Sequence, residues 1–329
     1  MFGFCAGVKG SLDLVVARRL GRRLRGRFRG FTLGPGFLAG YPALAENLVL
    51  LAEGALGLEH AHNLALHHYC RERFAALIDG GGARVSKRGF LRRVALGRHA
   101  NSDAADLIVE RYGRPGVARL LFPAPAAREL EMTIRERIAR LVRDSEQDDL
   151  GGTLDACFLR ANWANFYARA AALQSHFVEG RLPYLDHEFV DLVLRLPRTL
   201  RERSVVQHAV VARLGPELRR HGRVFCDVLM PWTDNALVRY AFAGMGRAAE
   251  LTGLSLRLAR PCFPFRDWWR QGLARLAAER LDALAERGLF DADRVTALAR
   301  RCRAGDAGII PAAELLWRLE IWHELFAGH

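Results

Sequence analysis

Lysine is almost missing from this sequence. Only Lys9 and Lys87 occur, so arginine carries nearly all of the cationic side of a net charge of +13. An arginine excess can attract nucleic acid, and Arg18, Arg19, Arg22, Arg23, Arg25, Arg27 and Arg29 form its densest run. No groove-reading element or aromatic stacking platform accompanies that run. Arginine in place of lysine, beside abundant Ala, Leu and Gly, reads as GC-rich coding bias, so nucleic acid is not expected as a partner. Paired cysteines are also missing. Cys5, Cys70, Cys157, Cys226, Cys262 and Cys302 lie far apart with no Cys-x-x-Cys unit, which gives neither a zinc site nor a disulfide framework. Reduced, mostly buried thiols are expected. No stretch approaches the ~20 apolar residues of a membrane span, and Met1 to Gly7 lacks the basic start and the length of a signal peptide. These absences predict a soluble cytoplasmic protein with no membrane partner.

What is present is globular. The 329 residues are 50% hydrophobic and 26% charged, enough for a sizeable core in one large or two ordinary domains. Phe2 to Val8 predicts a short buried strand, Gly10-Ser11-Leu12-Asp13 a turn with a helix cap, and Gly30 to Leu33 a second strand closed by Gly34-Pro35-Gly36. Strand, helix, strand at these lengths is a βαβ unit, hence a parallel sheet. Residues 41–76 predict two helices. Glu59, His60, His62, His67 and His68 make a histidine-rich patch whose ring spacing could serve a metal. Without a neighbouring Cys or a second carboxylate, they read instead as helix-face or pocket histidines, and no metal site is assigned.

Phe74 to Ile78 has the composition of a buried parallel strand. It runs into Asp79-Gly80-Gly81-Gly82-Ala83-Arg84, where glycines suit close backbone approach to a nucleotide or a bare turn. Pro123-Ala124-Pro125 is a joint before a helix over 126–142, and residues 144–149 read as a solvated acidic linker. A helix over 154–174 is expected to bury Phe158, Trp163, Phe166 and Tyr167. Glu179-Gly180-Arg181-Leu182-Pro183-Tyr184-Leu185-Asp186 predicts an extended piece feeding a helix. Pro183 forbids helix before it, Asp186 caps the helix after it, Tyr184 is buried, and Pro197 stops the run.

That last segment, Glu-x-Arg-x-Pro-Tyr-Leu-Asp-His-Glu with Leu196-Pro197 beyond it, resembles a hallmark of the synthetase domain of asparagine synthases. Phe4 to Val8 with Gly10 to Leu14 is similar to the second strand and turn of that family's ATP domain. Phe265 to Arg270, Arg287 to Asp291 and Leu316 to Trp322 are similar to its closing helices, and Pro216-Glu217-Leu218 to the turn after the helix that follows the Glu-x-Arg segment. The resemblance implies a helix-rich α/β fold: a truncated doubly wound parallel sheet (adenine nucleotide alpha hydrolase-like) over residues 1–122, then a helical remainder over 123–329. It implies ATP and magnesium as cofactors, adenylation of an aspartate-like carboxylate, and its amidation. By the same carry-over, Ala6 and Gly7 line the adenine site, Gly80 and Gly82 belong to the glycine loop, and Glu179, Arg181 and Asp186 shape the pocket.

Three departures from the family pattern qualify that expectation. The phosphate-gripping Ser-Gly-Gly-x-Asp-Ser loop and the glutamine-hydrolysing domain do not occur in these 329 residues. Arg84 and Val85 stand where the family has Asp and Glu, and an arginine cannot ligate magnesium. The family's later lysine has no counterpart, and neither Arg201, Arg203 nor His208 is assigned its role. The expectation is therefore a degenerate or partial synthetase, weighed against two alternatives: a non-catalytic scaffold that keeps the fold to hold a protein partner, or a relative making another amide, as a peptide or β-lactam cyclase does.

Overall fold

The computed structural model describes residues 2–83, 104–110, 115–147, 149–197, 200–201, 205–225, 228–230, 235, 237–238, 241–242, 244–245, 261–288 and 290–327. Arg84, Val85, Lys87, Arg203 and Cys226, on which several sequence readings fall, lie outside them. The fold is helix-rich α/β. The described strands pair two by two, in two parallel sheets and one antiparallel sheet. The doubly wound sheet expected from the sequence is thus not formed among the described residues. The chain divides into two compact units: Met1–Ala39, Ala83–Arg88 and Tyr184–Phe265 in one, and Gly40–Gly82, Gly89–Pro183 and Arg266–His329 in the other.

In the first unit the βαβ expectation holds. The strand Phe2–Val8 pairs in parallel with Arg27–Leu33, from Phe2 opposite Arg27 to Val8 opposite Leu33, through the helix Leu12–Arg23. Apolar residues at helical spacing explain why that helix lies down. Leu12, Leu14 and Val16 are buried, and Leu14 reaches the strand at Gly30, where a Cβ would come within 3.2 Å of it. Ser11 precedes the helix without capping it through its side chain. The first strand is buried only toward its end, at Ala6 and Gly7. Further along, the helix His187–Arg195 begins at Asp186 and ends before Pro197.

The second unit holds most of the core. The helices Tyr41–Ala52 and Ala61–Arg71 form as expected. The expected linker at 144–149 is tighter than a linker. Asp144 closes the helix Ala124–Arg143, and Asp149 opens the helix Leu150–Cys157 by accepting from the Gly151 and Gly152 amides at 2.9 and 3.0 Å. The expected helix over 154–174 therefore starts at Leu150. It passes through ten residues of wider π-helical winding, Phe158–Tyr167, and resumes at Ala168–Ser175. That winding turns the aromatic run outward by degrees, so only Phe158 is buried while Trp163, Phe166 and Tyr167 are half-buried.

The closing helices Ala274–Glu286, Ala292–Arg303 and Ile310–Phe326 pack together, and Trp269, Trp317, Leu273 and Leu316 are buried among them. One charged network sits in this apolar setting. Glu320 is fully buried; its Oε2 accepts from Arg280 at 3.1 Å and its Oε1 from Arg287 at 3.0 Å. Arg280 also reaches Glu324 and Glu46, each at 2.6 Å. Burial holds the Glu320 carboxyl above its ordinary range, Glu324 adds to this, and Arg287 and Arg280 oppose it. Six residues earlier, buried Glu314 accepts the Leu58 amide at 2.7 Å, and the Tyr41 hydroxyl donates to the Leu58 carbonyl at 2.6 Å. No described helix is long and apolar enough to cross a membrane.

Candidate functional site

The residues singled out from the sequence fall in both units. In the first, Ala6 and Gly7 end the opening strand. The Ala6 carbonyl accepts from the Cys262 thiol at 2.9 Å, and the Val8 amide donates to the Cys262 carbonyl at 3.0 Å. A Cβ at Gly7 would lie 2.6 Å from Ser11 Oγ and 2.7 Å from Cys262 Sγ, so glycine is required there by packing. Burial pushes the Cys5 thiol up to about 11, with Asp13 adding to the shift, and this rules it out as a nucleophile near neutrality.

In the second unit, two stretches about a hundred residues apart in sequence meet. The strand Ala76–Ile78 pairs in parallel with Glu179–Arg181, Ala76 opposite Glu179 and Ile78 opposite Arg181. The Asp79 amide extends the ladder by donating to the Arg181 carbonyl at 2.9 Å. The glycine turn thus leaves the sheet beside the Glu-x-Arg segment. Its first strand is not the buried strand that its composition suggested: Ile78 is 66% exposed, because a three-residue strand with one described neighbour has no second layer to hide it.

Each glycine of the turn has a different reason. Gly82 has a φ of 82°, the left-handed region that favours glycine. Gly81 lies against Leu182, 3.3 Å from its Cβ position, and donates its amide to Asp79 Oδ1 at 3.0 Å. Gly80 faces open space among the described residues and has no packing contact there that requires glycine. Glu179 and Arg181 form an ion pair between exposed side chains.

Asp186, in the first unit, does what its position predicted. Its Oδ1 accepts from the Phe189 amide at 3.0 Å and so caps the helix His187–Arg195. Tyr184, expected in the core, is half-buried and stands edge-on to Phe189 with ring centroids 5.3 Å apart. Replacing Asp186 by alanine should cost about 1 kcal/mol of stability. A urea midpoint that does not move would show that the cap does not hold that helix.

Two buried polar groups behind the Glu-x-Arg strand were not anticipated from the sequence. Among the described residues Gln174 Nε2 has no hydrogen-bond partner, and it lies 2.8 Å from the Cβ position of Gly180. His67 Nδ1 is likewise buried without a partner. The signal available was the glycine itself: a Cβ at Gly180 would press on the end of the flexible Gln174 side chain, which would have to shift. Burial pulls both His62 and His67 down to about 4; the Glu59 carbonyl opposes this at His62, and Asp79 opposes it at His67. The histidines pack on rings, His68 edge-on to Phe177 at 4.7 Å and His60 against Phe166 at 5.1 Å. Among the described residues no three of His, Cys, Asp and Glu converge to hold a metal ion.

A glycine turn and a Glu-x-Arg strand thus share one parallel ladder in a helix-rich α/β protein. The family description "Asparagine synthase" matches residues 167–325, which take in that strand, the Asp186 cap and all three closing helices. That match is to the family's C-terminal synthetase part and is consistent with membership of the family. No match to the chain was found among curated proteins.

Proposed function

We propose that this protein is an asparagine synthase-like member of the ATP-dependent amide-forming ligases that keeps a nucleotide-facing turn but does not by itself complete asparagine synthesis. The observation that carries the reading is the ladder between Ala76–Ile78 and Glu179–Arg181, which sets the open Gly80 edge beside the family's Glu-x-Arg segment. In the family, ATP supplies the leaving group that activates a carboxylate. Here Gly80 and Gly82 would receive the nucleotide through backbone, and Glu179 and Arg181 would set the rim. Against full chemistry stand Arg84 and Val85 in place of the family's acids. The same substitution favours the second reading, a scaffold that holds a protein partner.

Calorimetric titration with ATP, with and without magnesium, separates the two. The expected result is weak, saturable heat at millimolar ATP that magnesium does not strengthen. Gly80→Val should abolish that heat with no loss of thermal stability, because the added side chain meets only open space. An absence of heat in the unsubstituted protein would overturn the nucleotide reading and leave the scaffold.

A further inference from the structure

From the charge distribution of the first unit we propose a second, independent property: the C-terminal half of the helix Leu12–Arg23 is a docking surface for an acidic segment of a partner protein. The proposal does not depend on nucleotide binding. Seven arginines lie between positions 18 and 29, all exposed, and Asp13 is the sole acid among the first 39 residues. Coding bias would scatter arginines without regard to charge partners, and elsewhere in the protein several arginines are paired. Arg119 meets Glu131 at 2.8 Å, Arg169 meets Glu53 at 3.0 Å and Arg301 meets Asp306 at 2.7 Å. None of the seven has an ion pair among the described residues. The turn Pro216–His221, which packs against the helix, brings one acid, Glu217, and further basic residues.

The geometry is that of a comb. Arg18 and Arg22, and Arg19 and Arg23, stand four residues apart on adjacent rows of one helix face, a rise of about 6 Å per pair. Like charges at this spacing destabilise a helix by a few tenths of a kcal/mol per pair. The favourable dipole at the C-terminal end offsets that for the last turn alone. A cost borne without an internal partner points to an external one. Carboxylates four residues apart on an acidic helix have the same ~6 Å repeat, and each guanidinium can hold one through two parallel hydrogen bonds.

Nucleic acid fits less well. The helix is packed flat on its strand, with Phe28 against Gly21, so it cannot enter a groove. The exposed ring at the strand's start, Phe2, already lies under the Arg27 guanidinium at 5.6 Å, so it offers no open platform for a base.

The test is fluorescence anisotropy with a labelled sixteen-residue polyglutamate peptide, run at low and at physiological salt beside a single-stranded DNA of equal charge. We expect peptide binding that weakens with salt and falls at least about tenfold in the doubly reversed variant R18E/R22E. A second variant, R137E/R140E, makes the same charge change on exposed positions of the Ala124–Arg143 helix and should stay within about twofold of the unsubstituted protein. Equal losses in the two variants would mean net charge alone is responsible and would overturn the proposal. So would absence of peptide binding, or DNA binding tighter than the peptide. Circular dichroism of both variants separates lost binding from lost fold.

Discussion

Glu320→Ala should lower the stability of the helical unit by about 3 kcal/mol, the low end of what breaking a buried ion pair costs. The carboxylate is fully buried, and its two oxygens are divided between Arg280 and Arg287. Without it, two guanidiniums remain half out of water with part of their partners gone. The loss falls short of the upper range because Glu46 and Glu324 stay beside Arg280, and Glu324 lies 3.3 Å from Arg287. Glu320→Gln, which keeps an acceptor but no charge, should fall between. Glu324→Gln, at a side chain 39% exposed, should cost under about 1 kcal/mol. Urea midpoints of the three variants check the ranking. An alanine variant as stable as the unsubstituted protein would mean that the network adds nothing to the packing of the three closing helices.

Acid should destabilise the same unit well above the range where carboxylates titrate. His62 and His67 have folded values of about 4 because burial disfavours their charged forms. Unfolded histidine takes up a proton near 6.5. A depressed folded value means that the unfolded chain binds more protons between the two, so stability is present above pH 6.5 and is lost as pH falls toward 4. At pH 5 the loss is roughly 2 kcal/mol for each ring, on the order of 4 together, a large share of an ordinary stability of about 5–15 kcal/mol. The first ring to protonate raises the cost for the second, since His67 already acts against charge on His62. Urea midpoints measured from pH 7.5 to 5 should fall steadily, and His67→Leu should flatten the slope. A midpoint constant across that range would show that the rings are not held neutral.

The parts of this structure that were legible in the sequence are those fixed by neighbours in the chain. Asp186, then helical apolar spacing, then Pro197 predicted a capped helix with a definite stop, and the cap is there. Strand, turn and helix lengths before Leu33 predicted a parallel pair, and its register is continuous. Readings failed where burial depends on what arrives from far away. Ile78 looks like a core residue by composition, yet its sheet is too narrow to cover it. Phe166 and Tyr167 share a helical run with Phe158, but the π winding between them changes the face they present. Asp149 belongs to a run of acids and reads as solvated, although its carboxylate stands two residues before paired glycine amides and caps them.

The candidate site divides the same way. Gly82 and Gly180 were visible as glycines, but the reasons for them, a left-handed φ in one and the Gln174 side chain in the other, need the fold. Glu314 and Glu320 left a faint signal: both lie on the apolar stripe of Ile310–Phe326 with Trp317, and Arg280 and Arg287 are spaced seven apart before them. Acids on a core-facing stripe opposite arginines on another helix mark a buried network, and that pattern can be sought in other sequences.

The Leu58 amide waits on Glu314, a residue 256 positions further along, and Glu46 waits on Arg280, 234 positions further. A chain made at about 5–20 residues per second spends on the order of tens of seconds with these early groups exposed before their partners are synthesised. The helical unit cannot close before its last helix is made, because that helix is the part that seals it. Its assembly is therefore late, with a long interval of exposed apolar surface, and expression should respond more to chaperone supply and growth temperature than to codon choice in the first half of the gene.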